Sequence, residues 1–210
     1  MTTPETTPAA YRNRLAPAFF DAAVRAVYWP TSIARVRNRL ADLLELERGM
    51  RVLEIGAGTG GNTEVMMSRG AQVTCVDRAP LMLARARQRA PDAEFVIADA
   101  LTLQLDTRFD RALLALFLHE QESADRIRIL ERTRAHLKPE GLLVVADVST
   151  PRAGLGRALW LGLQRVIEPP TALEVAAGAL DAEIPAAGYE LRSSEDLAQG
   201  RLRVYVARPA

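Results

Sequence analysis

One short segment of this 210-residue chain limits what it can fold into. An apolar run at residues 52–55 leads directly into three alternating glycines, and a helix start follows at Asn62. Glycines at positions Gly56, Gly58 and Gly60 allow a sharp turn and let a ligand lie against bare main chain. The helix that follows directs its unpaired N–H groups and positive dipole end at that ligand. The segment therefore predicts a loop that binds a nucleotide-like cofactor.

The glycine spacing alone leaves the class of cofactor open. Gly56, Gly58 and Gly61 also fit the dinucleotide pattern G-x-G-x-x-G. Glu54, however, lies near the end of an apolar strand, where an unpaired charge is costly. Its carboxylate would repel a pyrophosphate but would complement a cationic ammonium group. The sequence favours a cationic cofactor, with a ligand-free turn between strand and helix as the alternative.

Two later strands also end in carboxylates. The apolar run at residues 72–76 ends at Asp77, and an acid in this position accepts hydrogen bonds from ribose hydroxyls. The run at residues 94–98 leads to Asp99, for which a helix or turn cap is the alternative role. Strands and helices alternate up to residue 148, which predicts a parallel sheet with right-handed crossovers. Ligands bind such sheets beyond the carboxyl ends of the strands, where these acids lie.

The pattern Glu54-x-Gly56-x-Gly58-x-Gly60 resembles motif I of the class I S-adenosylmethionine-dependent methyltransferases. Residues 109–120 resemble the motif IV region of that family, and residues 136–147 resemble its helix end, Pro-Gly turn and fifth strand. The similarity is nearest to the quinone and lipid methyltransferases. It implies a three-layer αβα, Rossmann-like α/β fold with a mostly parallel seven-stranded sheet and an antiparallel last strand.

The resemblance implies S-adenosyl-L-methionine as the cofactor. It assigns Glu54 to the methionine end, Asp77 to the ribose and Asp99 to the adenine amino group. No metal is expected. The full set of expected cofactor residues is Glu54, Gly56, Ala57, Gly58, Gly60, Asp77, Arg78, Asp99, Ala100 and Leu116.

Methyl transfer from a sulfonium is an in-line displacement, so much of the rate can come from positioning. A base is needed only if the acceptor must lose a proton. His119 follows the fourth strand and is the catalytic candidate, because an imidazole titrates near neutral pH. A cofactor-facing role without proton transfer is the alternative. The family often has a second histidine at the next position, but Glu120 stands here; Glu120 and Asp147 are lesser candidates.

The chain is predicted to be one domain behind a disordered tail. Phe20, Tyr28 and Trp160, from the front helices and the insert after the fifth strand, are the candidate substrate residues; plain core packing is the alternative, since helical apolar faces usually are core. The pattern Thr171-x-x-Glu174 predicts a capping box that opens a helix. The expected segments are a tail at 1–10 and a domain at 11–210, divided into N-terminal helices (11–48), a cofactor-binding core (49–148), a substrate lid (149–187) and a closing hairpin (188–210).

Composition excludes several classes of function. A net charge of +1 gives no electrostatic footprint for nucleic acid. The single cysteine, Cys75, cannot form a disulfide framework or a metal cluster alone. Neither a signal peptide nor a membrane-spanning run is recognisable, which predicts a cytoplasmic protein; the oligomeric state stays open.

The resulting prediction is an S-adenosylmethionine-dependent methyltransferase that acts on O, N or C of a small, rather apolar molecule. Three alternatives remain. One is a nicotinamide-dependent reductase, which Glu54 and the closing hairpin disfavour. Another is a methyltransferase fold retained as a binding or partner subunit. The last is a cofactor-binding enzyme that catalyses a cyclisation or rearrangement.

Overall fold

Seven strands and six helices make up the part of the chain that the computed structural model describes, residues 31–151 and 169–210. The strands are β1 (Arg51–Ile55), β2 (Gln72–Asp77), β3 (Glu94–Ile97), β4 (Phe109–Ala115), β5 (Leu137–Val148), β6 (Tyr189–Leu197) and β7 (Leu202–Pro209). The helices are α1 (Ile33–Leu43), α2 (Gly61–Ser68), α3 (Pro80–Arg89), α4 (Ser123–His136), α5 (Pro170–Ala176) and α6 (Leu180–Ala186), with short 3₁₀ turns at Leu118–Glu120 and Ala198–Gly200.

The strands form one sheet in the order β3-β2-β1-β4-β5-β7-β6. The pairs formed among β1 to β5 are parallel, and β7 is antiparallel to both β5 and β6. The predicted mostly parallel sheet with an antiparallel last strand is therefore confirmed. After β3 the chain returns to the opposite side of β1, so the direction of sheet growth reverses between β1 and β4. Such a switch point opens a crevice at the carboxyl ends of the strands.

Strand side chains alternate between two buried layers, as the two-residue period of a strand requires. Leu53 and Ile55 of β1 pack into one core together with residues of α4, α5 and α6, whereas Val52 packs into the other with residues of α1, α2 and α3. In α1, Val36 and Leu40 are buried at helical spacing. Helices thus cover both faces of the sheet, which confirms the three-layer αβα architecture.

The predicted Pro-Gly turn before the fifth strand lies within β5 itself. Leu137 pairs with Phe109, but the next pair in the ladder joins Leu142 to Arg111. The residues between Leu137 and Leu142 therefore bulge out of the ladder, which absorbs the proline that cannot donate to it. The predicted helix end is confirmed at His136, whereas the residues predicted to form the Pro-Gly turn lie in the bulged first part of β5.

The division of the chain into tail, helices, core, lid and hairpin stays a prediction. Phe20, Tyr28 and Trp160 lie outside the described residues. Within 31–151 and 169–210, none of the helices is long and apolar enough to cross a membrane.

Candidate functional site

The glycine loop between β1 and α2 has the backbone that its sequence predicts. Gly56, Gly58 and Gly60 have φ angles of 72°, 53° and 77°, in the left-handed region that favours glycine. The loop is held against β2, because the N–H groups of Gly56 and Ala57 donate to the carbonyl of Val76 at 2.8 and 3.3 Å. Its position at the carboxyl edge of the sheet is therefore fixed by main-chain bonds.

Gly56 is also required sterically, because Phe117 lies against it. A Cβ atom on Gly56 would sit 2.5 Å from Cδ2 of the Phe117 ring. Phe117 follows β4, and Leu116 beside it has a positive φ of 52°, an uncommon and strained conformation for leucine. The end of β4 is thus shaped to bring Phe117 over the glycine loop.

We expect Gly56→Ala to lower the free energy of unfolding by about 2–3 kcal/mol, from left-handed strain and the clash with Phe117. Gly49→Ala is a matched control, since Gly49 has a φ of 86° but open space around its Cβ position. The control should cost only the strain, about 1–2 kcal/mol. Urea unfolding of both variants measures the difference, and equal losses would show that Phe117 gives way at no cost.

Asp77 joins the end of β2 to the glycine loop. One carboxylate oxygen accepts the N–H of Gly58 at 2.9 Å, and the other accepts the N–H of Ala79 at 2.8 Å. Burial raises the pKa of Asp77, and these two backbone bonds oppose the rise. A carboxylate has about four acceptor positions, so Asp77 retains capacity for hydroxyl donors from a ligand.

Two adjoining cavities open at this edge and share Gly56, Asp77, Arg78 and Phe117 in their walls. About 300 and 430 Å³ of space lie within them, including space that is open to solvent. Seven of the ten predicted cofactor residues line them: Gly56, Gly58, Asp77, Arg78, Asp99, Ala100 and Leu116. The walls do not include Glu54, Ala57 or Gly60.

Asp99 forms a turn cap and also lies in a cavity wall. Its carboxylate accepts the N–H of Leu101 at 2.9 Å, which is the predicted turn cap. The side chain is nevertheless exposed and forms part of the wall of the smaller cavity, beside Ala100. The cap therefore orients a carboxylate that keeps further acceptor capacity toward a ligand.

Glu54 lies beneath the glycine loop and is almost fully buried, with 2% of its surface exposed. Its carboxyl accepts the hydroxyl of Thr63 at 2.5 Å and is also bonded by the side chain of Asn62. Arg37 of α1 adds a nearby positive charge. The premise of an unpaired charge was therefore wrong, because α1 and α2 supply internal partners. Burial still dominates and raises the pKa of Glu54 to about 7.

This pKa makes stability depend on pH through Glu54. The folded protein keeps a proton that the unfolded chain loses near pH 4.5, so stability falls as the pH rises from about 4.5 to about 7. We expect the unfolding free energy to drop between pH 5 and 8 by about 2–3 kcal/mol more in the parent than in Glu54→Gln. Urea unfolding at both pH values is the measurement. If the unfolding free energies of the parent and of Glu54→Gln changed equally with pH, the pKa of Glu54 would lie near its ordinary value.

His119 and Asp147 form a buried pair behind the cavities. Nδ1 of His119 lies 2.6 Å from Oδ1 of Asp147. The carboxylate also accepts the backbone N–H groups of Leu118 and His119, at 2.9 and 3.1 Å. Only 8% of the His119 side chain is exposed, and it does not line either cavity, whereas its neighbours Phe117 and Glu120 do. Asp147 therefore pairs with the imidazole and also anchors the turn that carries these neighbours.

Thr171 contributes to the same turn from a distant part of the chain. The predicted capping box at Thr171 is wrong, because α5 already begins at Pro170 and no side chain caps it. The hydroxyl of Thr171 instead donates to the carbonyl of His119 at 2.6 Å. The His119 turn is thus held by β5 on one side and by α5 on the other.

The glycine loop, Asp77 and Asp99 form the carboxyl-edge site, and the sequence around them matches known proteins. Residues 52–141 match the family described as a methyltransferase domain. A demethylmenaquinone methyltransferase of Paenarthrobacter aurescens is 32% identical over 127 residues, which are 60% of this chain and 49% of that protein. By these matches the chain is similar to the class I S-adenosylmethionine-dependent methyltransferases. An uncharacterized methyltransferase of Synechocystis is 29% identical over 169 residues, which are 79% of this chain and 78% of that protein.

The fold of this chain is shared with solved structures. A TehB-like S-adenosylmethionine-dependent methyltransferase from Corynebacterium glutamicum superposes with a TM-score of 0.67 at 20% sequence identity, over 94% of this chain and 100% of that one. The chain spans about half the length of the curated demethylmenaquinone methyltransferases that it matches, between 48% and 53% for the first three.

The donor and acceptor groups at the site fit S-adenosylmethionine, the cofactor that the resemblance implies. Asp77 and Asp99 each keep acceptor capacity after their backbone bonds, as ribose hydroxyls and an adenine amino group require. Gly56 lies in the walls of both cavities, and the absence of a Cβ lets the Phe117 ring pack against it there. Phe117, which sequence reasoning missed, adds an aromatic wall to both cavities. Its position directly after β4 was the available signal.

His136 has a structural role, in keeping with its position at a helix end. Its Nδ1 lies 2.8 Å from the carbonyl of Arg132, and the N–H of Leu105 donates to its Nε2 at 3.0 Å. Both ring nitrogens are therefore used within the fold, and Nε2 as an acceptor implies an Nδ1–H tautomer.

Proposed function

We propose that the chain transfers a methyl group from S-adenosyl-L-methionine to a small-molecule acceptor. The observation that carries this proposal is the meeting of the glycine loop, Asp77 and Asp99 around the cavities at the β1/β4 switch point. The curated relatives named demethylmenaquinone methyltransferases support a small, apolar acceptor of the quinol type. A net charge of +1 disfavours a nucleic acid as the acceptor. The cytoplasmic location stays a prediction from the sequence.

In this proposal different residues bind different parts of the cofactor. Asp77 accepts hydrogen bonds from the ribose hydroxyls, and Asp99 accepts one from the adenine amino group. Glu54 acts on the methionine end through electrostatic attraction from beneath the loop, since it does not line the cavities. Gly56, Ala57, Gly58 and Gly60 provide close main-chain approach, with Arg78, Ala100 and Leu116 as surrounding contacts.

When bound, S-adenosylmethionine would supply a methyl group on a sulfonium sulfur, and that sulfur would leave as a neutral thioether while the acceptor forms its bond to the methyl carbon. The chain's own residues hold the two partners in line and exclude water. His119 is proposed as the group that takes a proton from an acceptor that must lose one. Phe20, Tyr28 and Trp160 remain the proposed substrate residues.

The experiment that tests this function follows a tritiated methyl group from the cofactor into organic-extractable product. 1,4-Dihydroxynaphthalene, catechol and a primary aromatic amine are suitable probes, since they offer activated carbon, oxygen and nitrogen. We expect labelled product with the parent protein and at least a tenfold loss with Asp77→Ala at limiting cofactor. S-adenosylhomocysteine binding without label transfer to any small molecule would favour a cofactor-dependent reaction of another class.

A further inference from the structure

Asp147 is surrounded by N–H groups. Its Oδ2 accepts the backbone N–H groups of Leu118 and His119, and its Oδ1 accepts that of Val148 at 2.8 Å. The remaining contact, at 2.6 Å, is with Nδ1 of His119. The residue is 1% exposed, so water does not compete for these bonds. A carboxylate that accepts three backbone N–H groups acts as an acceptor toward the ring as well, which requires a proton on Nδ1.

A proton on Nδ1 decides the chemistry of the other ring nitrogen. In a neutral imidazole one nitrogen carries hydrogen and the other carries the lone pair. With Nδ1–H bonded to Asp147, the basic nitrogen of His119 is Nε2. The two bonds from the Leu118 and His119 N–H groups to Asp147, and the Thr171 hydroxyl at 2.6 Å from the His119 carbonyl, hold the turn that carries the ring. The ring therefore has a defined tautomer on a fixed main chain.

We propose that Asp147 is a positioning residue that holds His119 as the Nδ1–H tautomer, with Nε2 as the proton acceptor of the reaction. This inference adds detail to the proposed function, and the role of Nε2 as a proton acceptor rests on that function. As the acceptor atom bonds to the methyl carbon and the carbon–sulfur bond breaks, the acceptor's proton passes to Nε2. Asp147, 2.6 Å from Nδ1, stabilises the imidazolium that results, and the proton then leaves to solvent.

Asp147→Asn is the informative variant. Its amide oxygen can still accept the N–H groups of Leu118 and His119 in the turn, but its NH₂ group then faces the ring and also the N–H of Val148, which loses its acceptor. The ring must present a lone pair at Nδ1 and carry hydrogen on Nε2. When the carboxylate that orients a histidine base is replaced by an amide, this change of tautomer leaves the histidine unable to act as the base. The variant therefore changes the proton on His119 with little change to the anchoring of the turn.

Nitrogen-15 NMR of the imidazole rings tests this directly, at a pH where both are neutral. The chain has only two histidines, and His136→Gln assigns them. His136 is an internal reference, since its bonds to Arg132 and Leu105 also require Nδ1–H. We expect the parent to show pyridine-type Nε2 for His119, and Asp147→Asn to show pyrrole-type Nε2. Thr171→Val, which removes only the bond to the His119 carbonyl, should leave the tautomer unchanged.

An Nε2–H tautomer in the parent would overturn the proposal, even if the Asp147 variant did not fold. An unchanged tautomer in Asp147→Asn, with S-adenosylhomocysteine bound more than tenfold more weakly, would also overturn it in favour of a purely anchoring role. The expected result is a changed tautomer with cofactor affinity within about twofold of the parent. Failure of the parent to bind S-adenosylhomocysteine would contradict the proposed function instead, and the two failures are thus distinguishable.

Discussion

Asp77→Ala is expected to weaken the binding of S-adenosylhomocysteine by about 100-fold or more. The substitution removes the proposed ribose acceptor and leaves the N–H groups of Gly58 and Ala79 without the bonds they make to the carboxylate. Hydrogen bonds to a charged group contribute about 1.5–3 kcal/mol each, and every 1.4 kcal/mol is a factor of ten in the dissociation constant. Calorimetric titration of the purified variant gives the constant directly.

Asp92→Ala is the matched control, because Asp92 is an exposed aspartate of the loop between α3 and β3. It should bind S-adenosylhomocysteine within about twofold of the parent, as surface changes away from a site do. An Asp77→Ala variant that bound as tightly as this control would contradict the assignment of Asp77 to the cofactor.

Arg126→Ala is expected to lower the free energy of unfolding by about 3–5 kcal/mol. Arg126 is completely buried in α4 and donates to both carboxylate oxygens of Glu183, each at 2.7 Å. It also donates to Glu174 at 2.9 Å and to the carbonyl of Gln121 at 2.7 Å. Its removal would leave the buried Glu183 without its cation, and an uncompensated buried charge is costly. Urea unfolding followed by circular dichroism measures the loss.

Arg128→Ala, on the same helix, is the control that separates the effect of losing a buried ion pair from the effect of removing an arginine. The Arg128 side chain is 69% exposed and faces Asp125 at 3.6 Å, so its removal should change stability by less than about 1 kcal/mol. The double change Arg126→Met with Glu183→Leu should recover much of the loss, since buried ion-pair sites tolerate apolar replacements of similar volume. A loss below 1 kcal/mol in Arg126→Ala would mean that water reaches Glu183.

The sheet and its carboxyl edge could be predicted because their signals are local. Alternating strands and helices imply a parallel sheet, and the positive φ angles at Gly56, Gly58 and Gly60 follow from glycine spacing after an apolar strand. Asp77 and Asp99 could be placed on one edge because both follow the carboxyl end of a parallel strand. Strand order then brought them to neighbouring cavities without any knowledge of side-chain contacts.

Side-chain partners from distant elements could not be predicted in the same way. Thr171 lies 52 residues from His119 in the chain, and its sequence signature fits a helix cap equally well. Arg126 is one of many arginines and carries no local sign that α5 and α6 will enclose it. Glu54 was expected to need an external cation, but Thr63 and Arg37 reach it only once α1 and α2 have packed. These pairings depend on tertiary packing, which no short motif encodes.

Thermal unfolding with S-adenosylhomocysteine, S-adenosylmethionine or NADH added separately tests the central claim most directly. At 100 times its dissociation constant, a ligand stabilises the native state by about 2.7 kcal/mol, which raises the midpoint of a chain of this size by about 5–10 °C. The carboxyl-edge site predicts such a shift with the first two ligands and none with NADH. A shift with NADH alone would contradict the methyltransferase assignment and favour a nicotinamide-dependent reductase.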